Sequence, residues 1–319
     1  MASRQRKEAR PGDEVSGLMI KPDKHCLLLA VPFLLASLVV SGCGRAVVAT
    51  TPSATPVSVD VPTPPPTSSL PQTPLPTLAP TASPSPAVPD TGWERLRPGL
   101  ERRVINVPGD AGEPFERLFL LRLEPKDYRF DVAYHPDPRS LEEWQAETNA
   151  LIVLNGGYFR GEEGAYLPNG LTVVDGRAFG TSYGKFAGML AVTRDGPELR
   201  WLTLEPYDPN EPLLAALQSF PVLVKPGGVM GFPEEEEDHR AARRSVIAED
   251  RDGRVLFIVA SRGNFTLHRL SAYLVASDLD LDIAVNLDGG PSSGVLLASP
   301  LEQIPALVPL PVVITVLDR

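Results

Sequence analysis

Short apolar runs separated by Gly, Pro, Asp and Asn recur along the chain from residue 93 onward. Runs of this length between turn-forming residues are typical of β-strands. Two of them, residues 151–154 and 283–287, are apolar with little alternation, which predicts central strands covered on both faces. The predicted strands are FERLFLLRLE, YRFDVAYH, ALIVLN, GLTVVDG, GMLAVTRDG, LRWLTLE, SVIAED, RVLFIVAS, DIAVNLDGG, GVLLAS and PVVITVLD.

Helices are fewer. Ser140 and Glu143 have the spacing of a capping box, and Thr266 can cap a helix whose leucines share one face. A third helix is predicted over residues 212–220. Together these patterns predict an α+β fold: a single domain with one large mixed, mainly antiparallel β-sheet flanked by a few helices.

The N-terminal part of the chain has a different composition. Of the 35 prolines, many crowd between Pro52 and Pro89. Residues 44–92 are rich in Thr, Ser and Pro, a composition that cannot bury a core and favours extended polyproline II segments. We therefore predict a disordered linker over 44–92 and a folded domain over 93–319.

Residues 1–43 are predicted to be an N-terminal extension and an export signal. The apolar stretch at 26–40 follows Lys21 and Lys24 and is shorter than the roughly 20 residues of a membrane-spanning helix. It ends in VSGC at 40–43, which resembles the lipobox of bacterial lipoproteins. The resemblance implies that Cys43 carries a lipid anchor on the outer side of the membrane. An ordinary secretory signal is the alternative, and Met19 is an alternative start.

Charge and cysteine content exclude several classes of protein. The 30 Lys and Arg are outnumbered by 40 Asp and Glu, giving a net charge of −10, so a nucleic acid is not an expected partner. Both cysteines, Cys26 and Cys43, precede the proline-rich segment. The predicted domain therefore has neither a disulfide nor a cysteine-bound metal.

Several short motifs resemble known functional sites, but the residues around them exclude those functions. The sequence GPSSG at 290–294 matches a serine-hydrolase elbow, but no histidine follows Ser292 to activate it. The segment GTSYGKF at 180–186 is one residue short of a phosphate-binding loop, and Phe186 replaces the metal-binding Ser or Thr. The three histidines of the domain, His135, His239 and His268, lie far apart in the sequence, so a zinc site is not expected. The acidic run at 234–238 is interpreted as a solvated loop without a role.

Two apolar strands end in similar polar chemistry. The first runs into Asn155 and a Gly-Gly pair, and the second into Asp288 and another Gly-Gly pair. Paired glycines let the backbone approach a ligand, and a carboxylate at the end of a buried strand is held rigidly. The alternative is that both are hairpin turns, because Asn-Gly and Asp-Gly are common turn dipeptides.

Taken together with their flanking residues, these segments resemble the phosphodiester glycosidase family, which has N-acetylglucosaminidase-like members and exopolysaccharide-related bacterial members. One departure is that Ala260-Ser261-Arg262 stands where many members have Asp-Gly-Arg. The resemblance spans roughly residues 150–319 and rests on NGGYF, PNGLTVVDGR, QSFPVLVKPGG, RRSVIAEDRDGRVLFIV, TLHRLSAYL and AVNLDGGPSSGVLL.

The resemblance implies a hydrolase that cleaves a sugar 1-phosphodiester of a surface or exopolysaccharide glycan. Asp288 is the expected catalytic acid, base or nucleophile, and Asn155 is expected to orient the sugar or the water. Arg244 and Arg262 are expected to contact the phosphate. Further substrate contacts are expected from Gly156, Gly157, Tyr158, Gly289, Gly290, Ser292 and Ser293.

Three points stay open at this level. The second carboxylate is Glu162, Asp175 or Glu249, with Asp175 better interpreted as a hairpin-turn residue. Calcium at the phosphate is an alternative that no ligand spacing marks. A non-catalytic glycan-binding surface lipoprotein of the same fold is the alternative function, because the acidic residue before Arg262 is missing.

Overall fold

The structure is a computed structural model that describes residues 89–319. The predicted export signal, the predicted lipidation site at Cys43 and the predicted linker up to residue 88 lie outside the described residues. In chain order the regular elements are β1 (Glu94–Arg97), β2 (Leu100–Pro108), β3 (Pro114–Leu123), β4 (Tyr128–Arg139), α1 (Leu141–Thr148), β5 (Ile152–Asn155), β6 (Phe159–Glu162), β7 (Ala165–Pro168), β8 (Thr172–Val174), β9 (Arg177–Phe179), β10 (Gly188–Thr193), β11 (Gly196–Trp201), β12 (Ala215–Ser219), β13 (Val222–Lys225), β14 (Val229–Met230), β15 (Ala242–Asp250), β16 (Val255–Phe265), α2 (Leu267–Ala276), β17 (Leu281–Asn286), β18 (Val295–Ala298), β19 (Leu301–Ile304) and β20 (Leu310–Asp318).

The strands form four antiparallel sheets. An eight-stranded sheet has the order β1-β2-β3-β16-β15-β17-β13-β14, and two five-stranded sheets have the orders β11-β10-β12-β8-β9 and β19-β18-β5-β20-β4. Strands β6 and β7 make a separate hairpin. The expectation of a single domain with mainly antiparallel pairing and few helices is confirmed, since the described domain is mainly β with two α-helices. The correction is that the sheets of the described residues are antiparallel rather than mixed, and that a large sheet is joined by smaller ones. Short strands broken by Gly and Pro divide the pairing among several sheets.

The eight-stranded sheet separates two apolar layers. Successive residues of a strand point to opposite faces, and β3 follows this rule: Phe119 and Leu121 join one cluster of buried residues, while Leu118 and Leu120 join another. The first cluster also contains residues of both five-stranded sheets. The second includes Leu270 of α2, so this helix covers the outer face of the sheet.

The structure confirms the two helices that were predicted from their capping residues. Ser140 and Glu143 form both bonds of the capping box of α1, and the Thr266 hydroxyl accepts a hydrogen bond from the third residue of α2. The helix predicted over 212–220 is wrong, because residues 215–219 form β12 between β10 and β8. Its leucines and alanines favour a helix locally, but every residue of β12 is buried in the sheet.

The N-terminal edge of the described domain begins before Trp93. Asp90 forms an isolated β-bridge with Ile105, and its carboxylate bonds the nearly buried guanidinium of Arg103. Arg103 also bonds Asp278, just after α2. These contacts attach residue 90 to the eight-stranded sheet, three residues upstream of the predicted start.

The two strands predicted to be central are both interior. Strand β5 lies between β18 and β20 with all four residues buried, and β17 lies between β15 and β13. They belong to different sheets, so their carboxyl ends meet at a junction between sheets. Neither α-helix of residues 89–319 has the length and apolar character that a membrane crossing requires.

Candidate functional site

Hydrogen bonds join the end of β5 and the loop after it to the loop after β17. The Asp288 amide donates to the Gly156 carbonyl at 3.1 Å, and Asn155 Nδ2 donates to the Asp288 carbonyl at 2.8 Å. Asn155 Oδ1 accepts from the Gly294 amide at 3.0 Å. Asn155 is fully buried, and both ends of its amide are engaged with backbone. Asn155 therefore positions the Asp288 loop through buried backbone contacts, instead of facing the sugar or the water as the sequence analysis expected.

The first Gly-Gly pair serves close packing. A Cβ on Gly156 would lie 2.7 Å from Val312 Cγ1, and one on Gly157 would lie 3.0 Å from the Gln218 carbonyl. Both residues are buried. Their lack of a side chain allows the end of β5 to approach β20 and β12, so the structure gives these glycines a packing role instead of the expected substrate contact.

Asp288 is a largely buried carboxyl at the start of the second loop. Burial raises its pKa above the ordinary value, while a hydrogen bond from the Ser292 hydroxyl and one from the Gly289 amide oppose that rise. The Gly289 amide lies 2.9 Å from Oδ1. These two donors fix the carboxylate in one orientation.

Tyr158 stands beside Asp288 and is held by a residue that the sequence analysis missed. Asn286, fully buried at the end of β17, donates from Nδ2 to Tyr158 Oη at 2.9 Å. Burial, and then the negative charge of Asp288, raises the pKa of Tyr158 to about 12. Because the phenol stays protonated and its oxygen accepts from Asn286, its own proton is free to be donated to a third group.

Arg244 is a buried cation without a carboxylate partner in residues 89–319. It is 7 % exposed, and its Nε and Nη2 donate to the backbone carbonyls of Phe265 and Arg240 at 3.2 and 2.6 Å. Burial lowers the pKa of its guanidinium, and the nearby Tyr158 and Asp238 oppose that effect. An arginine remains charged under these conditions, so the cavity wall carries a buried cation that is not in an ion pair, although Glu236, Asp238 and Asp288 line the same cavity.

These groups line one cavity of about 600 Å³. One part of its wall is aromatic and another carries charges from the segment before β15. Tyr158, Arg244, Asp288, Gly289 and Gly290 all belong to the lining, which also includes Phe186, Phe220, Pro221, Phe232, Glu236, Asp238, Arg240, Ala241, Ala242, Leu267 and Pro291. Its size is within the range of small-ligand sites.

The second loop contributes unequally to this cavity. Gly290 has a φ of 60°, in the left-handed region that favours glycine, and a Cβ there would meet no atom within 4 Å. Its face toward the cavity is therefore open. Ser292 and Ser293 are buried. The Ser292 hydroxyl donates to the Asp288 carboxylate, and the Ser293 hydroxyl is buried without a hydrogen-bond partner among residues 89–319. Neither serine lines the cavity, so neither is placed as a direct substrate contact.

Arg262 does not reach the cavity. It is exposed in β16, on a bulge whose backbone amides surround a buried carboxylate: Arg262, Gly263 and Asn264 donate to Glu116 at 2.7, 3.0 and 2.8 Å. This bulge directs the Arg262 side chain away from Asp288. The structure therefore brings together Arg244 and Asp288 but not the second expected arginine.

None of the three candidate second carboxylates lines the cavity. Glu162 is exposed on β6, where it pairs with Arg160. Asp175, with a φ of 49°, turns between β8 and β9, as its hairpin interpretation predicted. Glu249 lies on β15, where burial raises its pKa. The structure does not bring any of them together with Asp288.

The acidic run at 234–238 has a defined place. Glu236 and Asp238 line the cavity, and Glu237 accepts hydrogen bonds from the His239 amide and, at the start of α2, from the His268 amide. The expected solvent exposure is confirmed, since residues 234–236 and 238 are exposed. What the sequence did not predict is that Glu236 and Asp238 line the cavity. No signal in the sequence could have found this, because the loop reaches the site only through folding.

A metal site is not apparent in the described domain. Within residues 89–319, no group of three or more His, Cys, Asp or Glu side chains is placed to hold a metal ion. The expected calcium alternative therefore has no residues assigned to it.

Solved structures share the fold at low sequence identity. The catalytic domain of zebrafish N-acetylglucosamine-1-phosphodiester α-N-acetylglucosaminidase, auto-inhibited by its pro-peptide, aligns with a TM-score of 0.55 and 17 % identity, over 70 % of this chain and 85 % of that one. A hypothetical protein from Synechocystis aligns with a TM-score of 0.51 and 14 % identity, over 73 % and 64 % of the two chains. At these identities the likeness concerns the fold.

Sequence comparison assigns the family. A search of curated proteins finds no match to this sequence. The profile of the phosphodiester glycosidase family matches residues 148–315, a range that contains the Asn155 and Asp288 loops and Arg244. The resemblance carried by the sequence motifs is thereby confirmed, and the chain belongs to the phosphodiester glycosidase family.

Proposed function

We propose that the protein is an extracytoplasmic hydrolase that cleaves the glycosidic bond of a sugar 1-phosphodiester in a surface or exopolysaccharide glycan. We further propose that a lipid on Cys43 attaches it to the membrane. The observation that carries the enzymatic proposal is one cavity lined by a partly buried carboxyl, Asp288, and a buried cation, Arg244. A phosphodiester joined to a sugar needs both groups at neighbouring positions.

The two arginines of the cavity wall support binding of the phosphate, although three carboxylates line the same cavity. Arg244 has no carboxylate ion pair in the described part of the chain, and two of its nitrogens are held by backbone carbonyls. The guanidinium is therefore oriented before a ligand arrives, and a phosphodiester anion would supply the missing counter-charge. Arg240, at the same wall, adds a second cation.

Asp288 is the proposed general base for the reaction at C1 of the sugar. As a base it takes a proton from a water molecule that attacks C1, while the C1–O bond breaks and its electron pair leaves with the phosphate. A phosphate monoester is a stable leaving group, so it needs little protonation. The free proton of Tyr158 can hydrogen-bond a phosphate oxygen during this step. Glu236 and Asp238 are the carboxylates of the same cavity that are available for a second role.

The alternative function is a glycan-binding surface lipoprotein that has lost its chemistry. Its motivation is Ala260, at the position where many family members have aspartate. Ala260 is buried in β16, and neither it nor Arg262 lines the cavity. Asp288 and Arg244 are nevertheless both present in the cavity wall, which favours the enzyme.

The test is to incubate the purified protein with the methyl phosphodiesters of glucose, mannose and N-acetylglucosamine 1-phosphates in H₂¹⁸O. We expect release of free sugar and of methyl phosphate that carries no ¹⁸O, because the C1–O bond breaks and every phosphate oxygen comes from the substrate. Asp288→Asn should reduce turnover by about 10² or more. Label in the phosphate would contradict glycosidic cleavage. Binding without turnover would support the glycan-binding alternative.

A further inference from the structure

The segment at 180–186, which fails as a phosphate-binding loop, lies at the mouth of the cavity. Phe186 is 58 % exposed and belongs to the cavity lining. Its ring contacts Phe220 with the centroids 5.5 Å apart, and Phe220 in turn contacts Tyr158 at 4.7 Å. A row of aromatic rings therefore leads from Tyr158, beside Asp288, to an exposed ring at the opening.

This segment is held in one conformation. Gln218 Oε1 accepts from the Ser182 hydroxyl at 3.1 Å and from the Tyr183 amide at 2.9 Å, and the Thr203 hydroxyl donates to the Lys185 carbonyl at 2.6 Å. The Tyr183 ring packs so closely on Gly170 that a Cβ there would lie 2.4 Å away. An exposed ring on such a rigid support is organised in advance for a ligand.

The two parts of the cavity wall differ in what they can bind. Arg244 adjoins Tyr158 on one side and the segment carrying Asp238 and Arg240 on the other. That second side is charged, whereas the Phe186 side is apolar. A pyranose ring presents an apolar C–H face and suits an aromatic surface, whereas the phosphate suits the side that carries the arginines.

We propose that Phe186 is the sugar-recognition residue of this cavity, stacking on the C–H face of the sugar whose C1 lies at Asp288. The inference rests on the proposed function for the identity of the ligand as a sugar 1-phosphodiester. It adds an orientation: the sugar lies toward residues 180–186, and the leaving phosphate and its alcohol lie toward Arg244 and the 234–240 segment. The residue therefore sets specificity for a sugar over other phosphodiesters.

The test is calorimetric titration of the purified Asp288→Asn protein, which suppresses turnover, with the three methyl sugar phosphodiesters and with dimethyl phosphate. Adding Phe186→Ala should raise the Kd of the best sugar diester about 10-fold, because the apolar area buried on that ring is lost. The Kd for dimethyl phosphate should not change. Phe186→Trp should restore the sugar affinity. Tyr166→Ala, which removes an exposed aromatic ring outside the cavity, is the matched control.

The outcomes separate the two proposals. An unchanged sugar Kd in the Phe186→Ala protein, at an unchanged melting temperature, overturns the role of Phe186 even if the wild type turns over. If Phe186→Ala selectively weakens sugar binding while the wild type shows no turnover, the role of Phe186 is supported and the hydrolase proposal is contradicted. An equal loss of affinity for dimethyl phosphate also overturns the role of Phe186, since a general disturbance of the cavity would then be the cause. Absence of sugar-diester binding in both the wild type and the Asp288→Asn protein overturns both proposals.

Discussion

Asn155 Nδ2 donates a 2.8 Å hydrogen bond to the backbone carbonyl of Asp288 and so joins the ends of β5 and β17. The two strands belong to different sheets. The bond is made by a fully buried side chain, so water cannot replace it. The position of the Asp288 loop therefore depends on a residue 133 positions earlier in the chain.

We expect Asn155→Ala to destabilise the protein by about 2–4 kcal/mol, because it leaves two buried backbone groups unpaired and opens a cavity. Asn155→Asp should behave similarly, since its second oxygen would face the Asp288 carbonyl. Urea unfolding measures the loss. Asn210→Ala is the control, because Asn210 is exposed and bonds only Asp208 nearby. Equal stability of the Asn155 and Asn210 variants would contradict the positioning role.

Asp288 should make folding stability depend on pH. Its pKa in the folded protein is raised above the ordinary 3.8 by burial, so the carboxyl is protonated in both states below that pH. As the pH rises through the elevated pKa, the folded protein must ionise a buried group and loses stability. We expect the stability of Asp288→Asn relative to the wild type to increase from about pH 3.8 upward and then level off.

Unfolding by urea between acidic and neutral pH measures this difference. The control is Asp195→Asn, because Asp195 is on an exposed turn. A difference between Asp288→Asn and the wild type that stays constant over the whole range would show that burial of the carboxyl has no such consequence.

Arg244 and Arg262 should differ in their effect on phosphate binding. Lysine at position 244 keeps the charge but cannot bond both the Phe265 and Arg240 carbonyls while presenting a donor to the cavity. We expect Arg244→Lys to raise the Kd for a sugar phosphodiester about 10- to 100-fold, as the loss of a charge-assisted hydrogen bond predicts. Arg262→Lys, on the exposed bulge, should leave it unchanged. Titration calorimetry compares the two, and similar losses would refute the assignment.

Cys43 should control membrane attachment. The VSGC sequence predicts that its thiol is acylated, so Cys43→Ser should move the protein from the membrane fraction to the soluble one and remove the mass of the lipid. Cys26→Ser, in the predicted signal segment, should retain both. Fractionation and mass spectrometry of the intact protein test this. A Cys43→Ser protein that stays with the membrane and keeps the wild-type mass rules out the anchor.

The sequence alone determined the features that depend on neighbours in the chain. The caps of α1 and α2, the buried strands β5 and β17, and the turn at Asp175 were all predictable, because their residue types act over a few positions. The family motifs likewise identified the Asp288 loop. The segment 212–220 was misassigned, since its leucines and alanines favour a helix locally, whereas pairing with distant strands makes residues 215–219 a buried strand.

The tertiary structure alone decided which residues share the cavity. Arg244 lies on β15 and Arg262 on the neighbouring strand β16. Arg244 pairs with Ala260 in the β15–β16 register and lines the cavity, whereas Arg262 lies on the bulge around Glu116, outside the cavity. Phe186 and Asp238 reach the wall on loops from distant parts of the chain. Register, bulges and loop placement depend on contacts far apart in sequence, so no local pattern could have specified them.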